Sequence, residues 1–221
     1  MDNIEKVQIF IDGGNFHHLV LKLIKVKELN FDFDEFAKFL ANNREITNLG
    51  KRFYVGTVRE QLNNLKSKES MAEQIKFLAR LRVVGWETKT SKLRLRDEKV
   101  IIDERTKNYK DILSKGIIYI EYQRFREKGI DVKIATDLLV GAIDNKYDTA
   151  ILVSSDTDLI PAIDLIRRRF NKKIEYIGFS IINETDGDKD VRPSQAMISR
   201  TDIQRVLVKS DIEKFIQKTL I

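Results

Sequence analysis

Two short apolar runs, each halted by an aspartate, constrain this chain more than any other feature. Residues 7–11 (VQIFI) end in Asp-Gly-Gly-Asn, and residues 150–153 (AILV) end in Ser-Ser-Asp. Apolar runs of this length suit strands buried on both faces, the kind found in parallel sheets covered by helices. A helical pattern follows each run. Phe16, Leu19, Val20, Leu23 and Ile24 recur at helical intervals within residues 15–26, and residues 159–170 carry Pro161 in their first turn, where a missing N–H costs least. Strand, acid-bearing turn and helix, twice over, predict an α/β architecture with acids at the carboxyl ends of its strands.

The rest of the chain extends this rhythm and once breaks it. Helices are expected over 34–41, capped by Asp32 or Asp34, over 61–82, over 132–143 behind Asp131, and over 211–220 as a closing element. Strands are expected over 51–58, from Val83, Val84 and Trp86 onward, and over 174–178, while 181–200 hold a polar loop and an undefined stretch. Between 88 and 129 the pattern changes. Leu93 and Leu95 alternate with Arg94 and Arg96, Asp97-Glu98 suits a turn, and Ile118, Ile120 and Tyr122 alternate again, which predicts an antiparallel insertion. With 221 residues, no internal repeat and no long linker, a single domain over 1–221 is expected.

Zero Cys removes disulfide frameworks, thiolate metal sites and cysteine nucleophiles together, so any site must use oxygen and nitrogen. The 40 Lys and Arg against 34 Asp and Glu give +6, a mild bias toward polyanions that ordinary solvated lysines also produce. The start of the chain lacks a basic flank and a long apolar stretch, and no run reaches the roughly 18 apolar residues of a membrane helix. A soluble, cytoplasmic protein without a membrane partner is the expectation.

If the strands ending at Asp12 and Asp156 are neighbours, both carboxylates face one crevice, with Asn15 and Asp158 close behind. Asp137, in the helix before the second strand, and Asp131, at that helix's start, are candidates for the same place. Like charges about 4 Å apart repel by roughly 4 kcal/mol at an effective dielectric near 20, so such a cluster needs a cation or a raised pKa. Oxygen ligands of this kind fit Mg²⁺ or Mn²⁺, which bind phosphate oxygens and activate water. Each acid also has a structural use: Asp12 in a turn, Asp131 and Asp156 as helix caps, and Asp158 in a first turn.

Other features point less far. His17 and His18 are adjacent on a helix and diverge by about 100°, so they form no paired ligand face. No Gly-x-Ser-x-Gly elbow, phosphate-binding loop or dinucleotide fingerprint occurs. Asp186, Asp188 and Asp190 alternate, but Val191 stands where a calcium loop needs Gly. The basic and aromatic residues of the insertion, among them Lys89, Arg94, Arg96, Tyr119 and Tyr122, suit a ribbon that tracks phosphates and stacks single-stranded bases. A charged hairpin guarding its edges, or one building a homodimer, explains them as well.

Three blocks, IFIDGGNF, GIDVKIATDLL and YDTAILVSSDTDLIPAIDLIR, resemble in order and spacing the motifs of NYN domain proteins, in the LabA-like branch of the PIN-like nuclease superfamily. The resemblance spans about residues 6–180. It implies a Rossmann-like three-layer α/β/α sandwich with a mostly parallel sheet, and a divalent-metal-dependent endoribonuclease that leaves 5′-phosphate and 3′-hydroxyl ends. By that resemblance Asp12, Asp137 and Asp156 are the metal-binding acids, with Asp131 as a fourth member of the shell. Asn15 orients substrate or water, Asp158 is the outer acid, Lys133 meets phosphate or a carboxylate, and Ser154 hydrogen-bonds within the shell. Arg94 and Arg96 would hold single-stranded RNA. Ser155 departs from the Gly usual in this branch, and the insertion is longer than typical. The rival readings are a non-catalytic RNA-binding or regulatory protein of the same fold and, behind it, a phosphatase built on Asp156 and Asp158.

Overall fold

A computed structural model of the chain describes residues 4–57, 65–126, 128–183 and 190–217. β1 (Lys6–Asp12) runs into α1 (Gly13–Phe16), a helical turn continued by a π-turn over His17–Leu21. α2 (Phe33–Ala41) follows, capped by Asp32, whose carboxylate accepts from the backbone N–H groups of Asp34 and Glu35 at 3.1 and 3.0 Å. Then come β2 (Glu45–Thr57), α3 (Leu65–Val83), β3 (Glu87–Lys92), β4 (Arg94–Ile101), α4 (Tyr109–Ser114) and β5 (Tyr119–Arg126). The second half contains α5 (Ile130–Ile143), β6 (Thr149–Val153), α6 (Ile160–Phe170), β7 (Lys173–Ser180), α7 (Gln195–Arg200), β8 (Ile203–Val208) and α8 (Lys209–Glu213).

Six strands form one parallel sheet in the order β3-β2-β1-β6-β7-β8, and β4 and β5 form a separate antiparallel pair. The central strands β1 and β6 are the two apolar runs, and every residue of β6 is buried. Helices cover both faces. On one, Phe16, Phe33, Phe36 and Phe53 interlock with Phe77 of α3 and Phe215 beyond α8. On the other, Phe10, Tyr54 and Tyr176 of the sheet pack against Ile134 and Leu138 of α5 and Ile163 of α6. Among the described residues no helix is long and apolar enough to cross a membrane.

Several boundaries differ from the sequence reading. β3 pairs with β2 from Arg52↔Glu87 to Thr57↔Lys92, so the antiparallel insertion begins at residue 93 rather than 88. Val83 ends α3 and is exposed, Gly85 turns the chain at φ +83°, and only Trp86 returns to the core. Asp97 and Glu98 do not turn; they lie within β4 opposite Gln123 and Tyr122, because a ribbon with two open faces carries charge along its length. β2 starts six residues earlier than expected, where a register shift against β1 absorbs extra residues. β8, an edge strand with apolar residues on both faces, has no counterpart in the sequence reading. α8 is short, and residues 61–64 and 218–220 of the expected helices, like Asp186 and Asp188, lie outside the described residues.

Candidate functional site

From β1 the chain works outward through β2 to β3, and from β6 outward through β7 to β8. The switch point therefore lies between β1 and β6, where the loops leaving the strands diverge and open a crevice. Ile11 pairs with Val153, so Asp12 and Ser154 emerge side by side at its floor.

Asp12 caps α1 and is 7% exposed. Its Oδ1 accepts from the Asn15 backbone N–H at 3.0 Å, and its Oδ2 from the Ser154 hydroxyl at 3.3 Å. The Asn15 side-chain oxygen reaches across to accept from the Ser155 N–H at 3.0 Å, tying the two loops together. Ser154 Oγ also accepts from the Asp156 N–H at 3.2 Å, and Asp156 Oδ1 accepts from the Asp158 N–H at 2.9 Å. Capping therefore engages these acids without removing them from the crevice.

Asp131 joins them from the opposite wall. A helix that leads into a parallel strand starts at the carboxyl edge of the sheet, which places the first turn of α5 beside the acids. The cap position belongs to Gly129 at φ 87°, not to Asp131. Partial burial, the Asp156 and Asp12 charges, a hydrogen bond shared with Asp156, and the Asp158 charge push the Asp131 carboxyl up to about 6. Burial also raises Asp12, against the lowering effect of its hydrogen bonds with Asn15 and Ser154. Asp12, Gly14, Asn15, His18, Gly129 and Asp131 line a cleft of about 320 Å³.

Asp137 is not part of this group. Its carboxylate accepts from the Tyr54 hydroxyl at 2.7 Å, lies 2.9 Å from Lys89 Nζ, and stands 3.6 Å from an Arg52 nitrogen. Six residues down α5 from Asp131, it sits about 9 Å nearer the middle of the sheet. There it neutralises cations of β2 and β3. Among the described residues Lys133 meets no carboxylate; its ammonium holds the Thr90 carbonyl, strapping α5 to β3. Ser155 turns its hydroxyl to Tyr176 at 3.0 Å, beneath the crevice floor, which accommodates a side chain where the resembling branch has Gly. Arg96 is exposed on β4.

The histidines separate as their helical positions require. His17 pairs with Glu28 at 2.6 Å, a hydrogen bond that raises it, whereas His18 lines the cleft, lowered first by burial and then by the His17 charge. The cationic hold on Asp137 was missed from sequence. Its trace is the two-residue spacing of Arg52 and Tyr54, which places both on one face of β2.

The sequence profile of the NYN domain matches residues 6–196, from the start of β1 into α7. The chain belongs to the NYN domain family. Its place among PIN-like proteins agrees with the six-stranded parallel sheet flanked by helices. A crystal structure of a protein of unknown function from Vibrio parahaemolyticus RIMD 2210633 superposes on this NYN domain with a TM-score of 0.53. The two are 22% identical over 94% of this chain and 95% of the other, a likeness of fold. Comparison with curated proteins gave no match.

Among the described residues no three His, Asp or Glu side chains are drawn close enough to cage an ion by themselves. The donor chemistry nevertheless fits a hard divalent ion. All donors are oxygens, and Asp131 carries the mark of uncompensated negative charge. Mg²⁺ in particular keeps several waters and needs only one or two carboxylates plus substrate phosphates.

Proposed function

We propose that this NYN domain is a divalent-metal-dependent endoribonuclease in which Asp12, Asp131 and Asp156 would hold Mg²⁺ or Mn²⁺. The observation that carries this reading is the meeting of Asp12, Asp131 and Asp156 at the switch-point crevice, with the Asp131 carboxyl pushed up to about 6. Bound there, the ion would neutralise charge developing on a phosphate and acidify water. Asp12 is oriented in advance by Asn15 and Ser154, so its carboxylate need not reorganise when substrate arrives. Asn15 spends its side-chain oxygen on the Ser155 N–H, which leaves its amide N–H groups to donate to a phosphate oxygen or to the attacking water. Asp158, tethered to Asp156 through its backbone, is the outer acid suited to hold a water proton. His18 presents a further donor to the same cleft. Family membership favours RNA over DNA and products with 5′-phosphate and 3′-hydroxyl ends.

The test is cleavage of labelled single-stranded RNA, single-stranded DNA and a small phosphomonoester with Mg²⁺, Mn²⁺ or chelator, for the native protein, Asp12→Asn and Asp156→Asn. Metal-dependent RNA fragments, lost in both variants, are expected. RNA binding without fragments in any metal would make the domain a binding or regulatory protein instead, and release of orthophosphate alone would make it a phosphatase.

A further inference from the structure

The β4–β5 hairpin leaves the body between the last residue of β3 and the first of α5, so its root stands at the edge that carries the acids. Arg94 follows Lys92 by two residues, and Arg126 precedes Ile130 by four. At about 3.5 Å per residue they lie within about 7 and 14 Å of that edge.

The ribbon's register is uneven in charge. Toward its far end the rungs are complementary: Gln123 donates to Asp97 at 3.0 Å, Tyr122 to Glu98 at 2.9 Å, and Lys99 lies 3.4 Å from Glu121. At the root, Arg94 stands opposite Arg126 and Arg96 opposite Arg124. Like charges directly opposite each other destabilise an antiparallel pair, and a two-stranded ribbon is marginal by itself. Arg96 and Arg124 are exposed, and neither pairs with an acid among the described residues. Guarding an open edge needs scattered charge, not arginine against arginine in consecutive rungs on one face.

We propose that this face is the track by which a polynucleotide strand reaches the acid cleft, with Arg96 and Arg124 taking its phosphates. The polyanion relieves the repulsion that the fold leaves in place. The proposal rests on the ribonuclease reading for RNA as the ligand, and not on turnover.

The test uses the full chain with a fluorescein-labelled 12-nucleotide single-stranded RNA in chelator, with the dissociation constant followed by anisotropy from 50 to 200 mM KCl. The Arg96→Ala/Arg124→Ala variant is expected to bind more weakly, with the slope of log K against log salt flatter by about 1.4, or about 0.7 for each lost phosphate contact. Lys99→Ala, on a complementary rung, is expected to leave the slope unchanged. Arg124→Glu places a carboxylate opposite Arg96 and is expected to raise the melting temperature while binding RNA least. An unchanged slope in the folded double variant, no RNA binding by the native protein, or a melting temperature lowered by Arg124→Glu would overturn the proposal. If RNA binds as expected and is never cut, the nuclease reading fails and the track stands. If RNA is cut and the slope does not move, the track alone fails.

Discussion

Replacing Asp131 by Asn should stabilise the folded protein at neutral pH, against the usual effect of removing a charged group. The Asp131 carboxyl ordinarily titrates at 3.8 and is pushed up to about 6 by burial and by the Asp156 and Asp12 charges. That displacement corresponds to about 3 kcal/mol. Asp131 is only partly buried, so solvent screening reduces the effect to about 1–2 kcal/mol. Between pH 3.8 and 6 the folded chain keeps a proton that the unfolded chain has released. Stability from this group is therefore complete below the ordinary value and lost as pH rises through the folded one. Asn, always neutral, does not suffer the loss. By calorimetry at pH 7 without divalent ions, Asp131→Asn should melt about 3–6 °C above the native protein, and the two should converge near pH 4. Adding Mg²⁺ should raise the native protein toward the variant and move the variant little. A variant that melts lower at pH 7, or a difference that does not change with pH, would refute the crowding of negative charge at the crevice.

Three further outcomes follow from the geometry. Asp137→Asn leaves Lys89 and Arg52 with Glu87 as their remaining carboxylate partner and should cost about 1–3 kcal/mol in a denaturant titration, yet should keep the Mg²⁺-induced rise in melting temperature. Gly13→Ala would bring a Cβ to 2.5 Å from the Phe53 ring and 2.9 Å from the Tyr54 carbonyl, so it should destabilise by about 1–3 kcal/mol and shift the Asp12 turn enough to weaken Mn²⁺ binding in a titration. His17, raised by its hydrogen bond with Glu28, supports the fold fully below its ordinary value of 6.5 and loses that support as pH rises through its folded one. Glu28→Gln should erase this step in a plot of stability against pH, a change below about 1 kcal/mol because the pair is over a third exposed.

The sheet's centre could be read in the sequence because VQIFI and AILV are buried on both faces, and complete burial leaves no alternation to misread. The acids that end those runs were legible for the same reason: a strand that stops fixes where its turn begins. Asp131 and Asp137 were not separable, since helical spacing tells which residues share a face of α5 but not which strand that face meets. Only the packing of α5 over β2 and β3 brings Lys89, Arg52 and Tyr54 to Asp137. β8 escaped notice because Ile203, Arg205 and Leu207 lie on one face and Gln204, Val206 and Val208 on the other, so apolar and polar residues do not alternate, and the rungs of β4 and β5 were hidden because a register between distant segments leaves no local trace.

A calorimetric titration of Mn²⁺ into the metal-free protein measures the central claim directly, without RNA or turnover. One saturable process is expected in the native protein and in Asp137→Asn, much weakened in Asp12→Asn and in Asp131→Asn. Equal binding by the native protein and Asp12→Asn, or no saturable binding in any of the four, would contradict it.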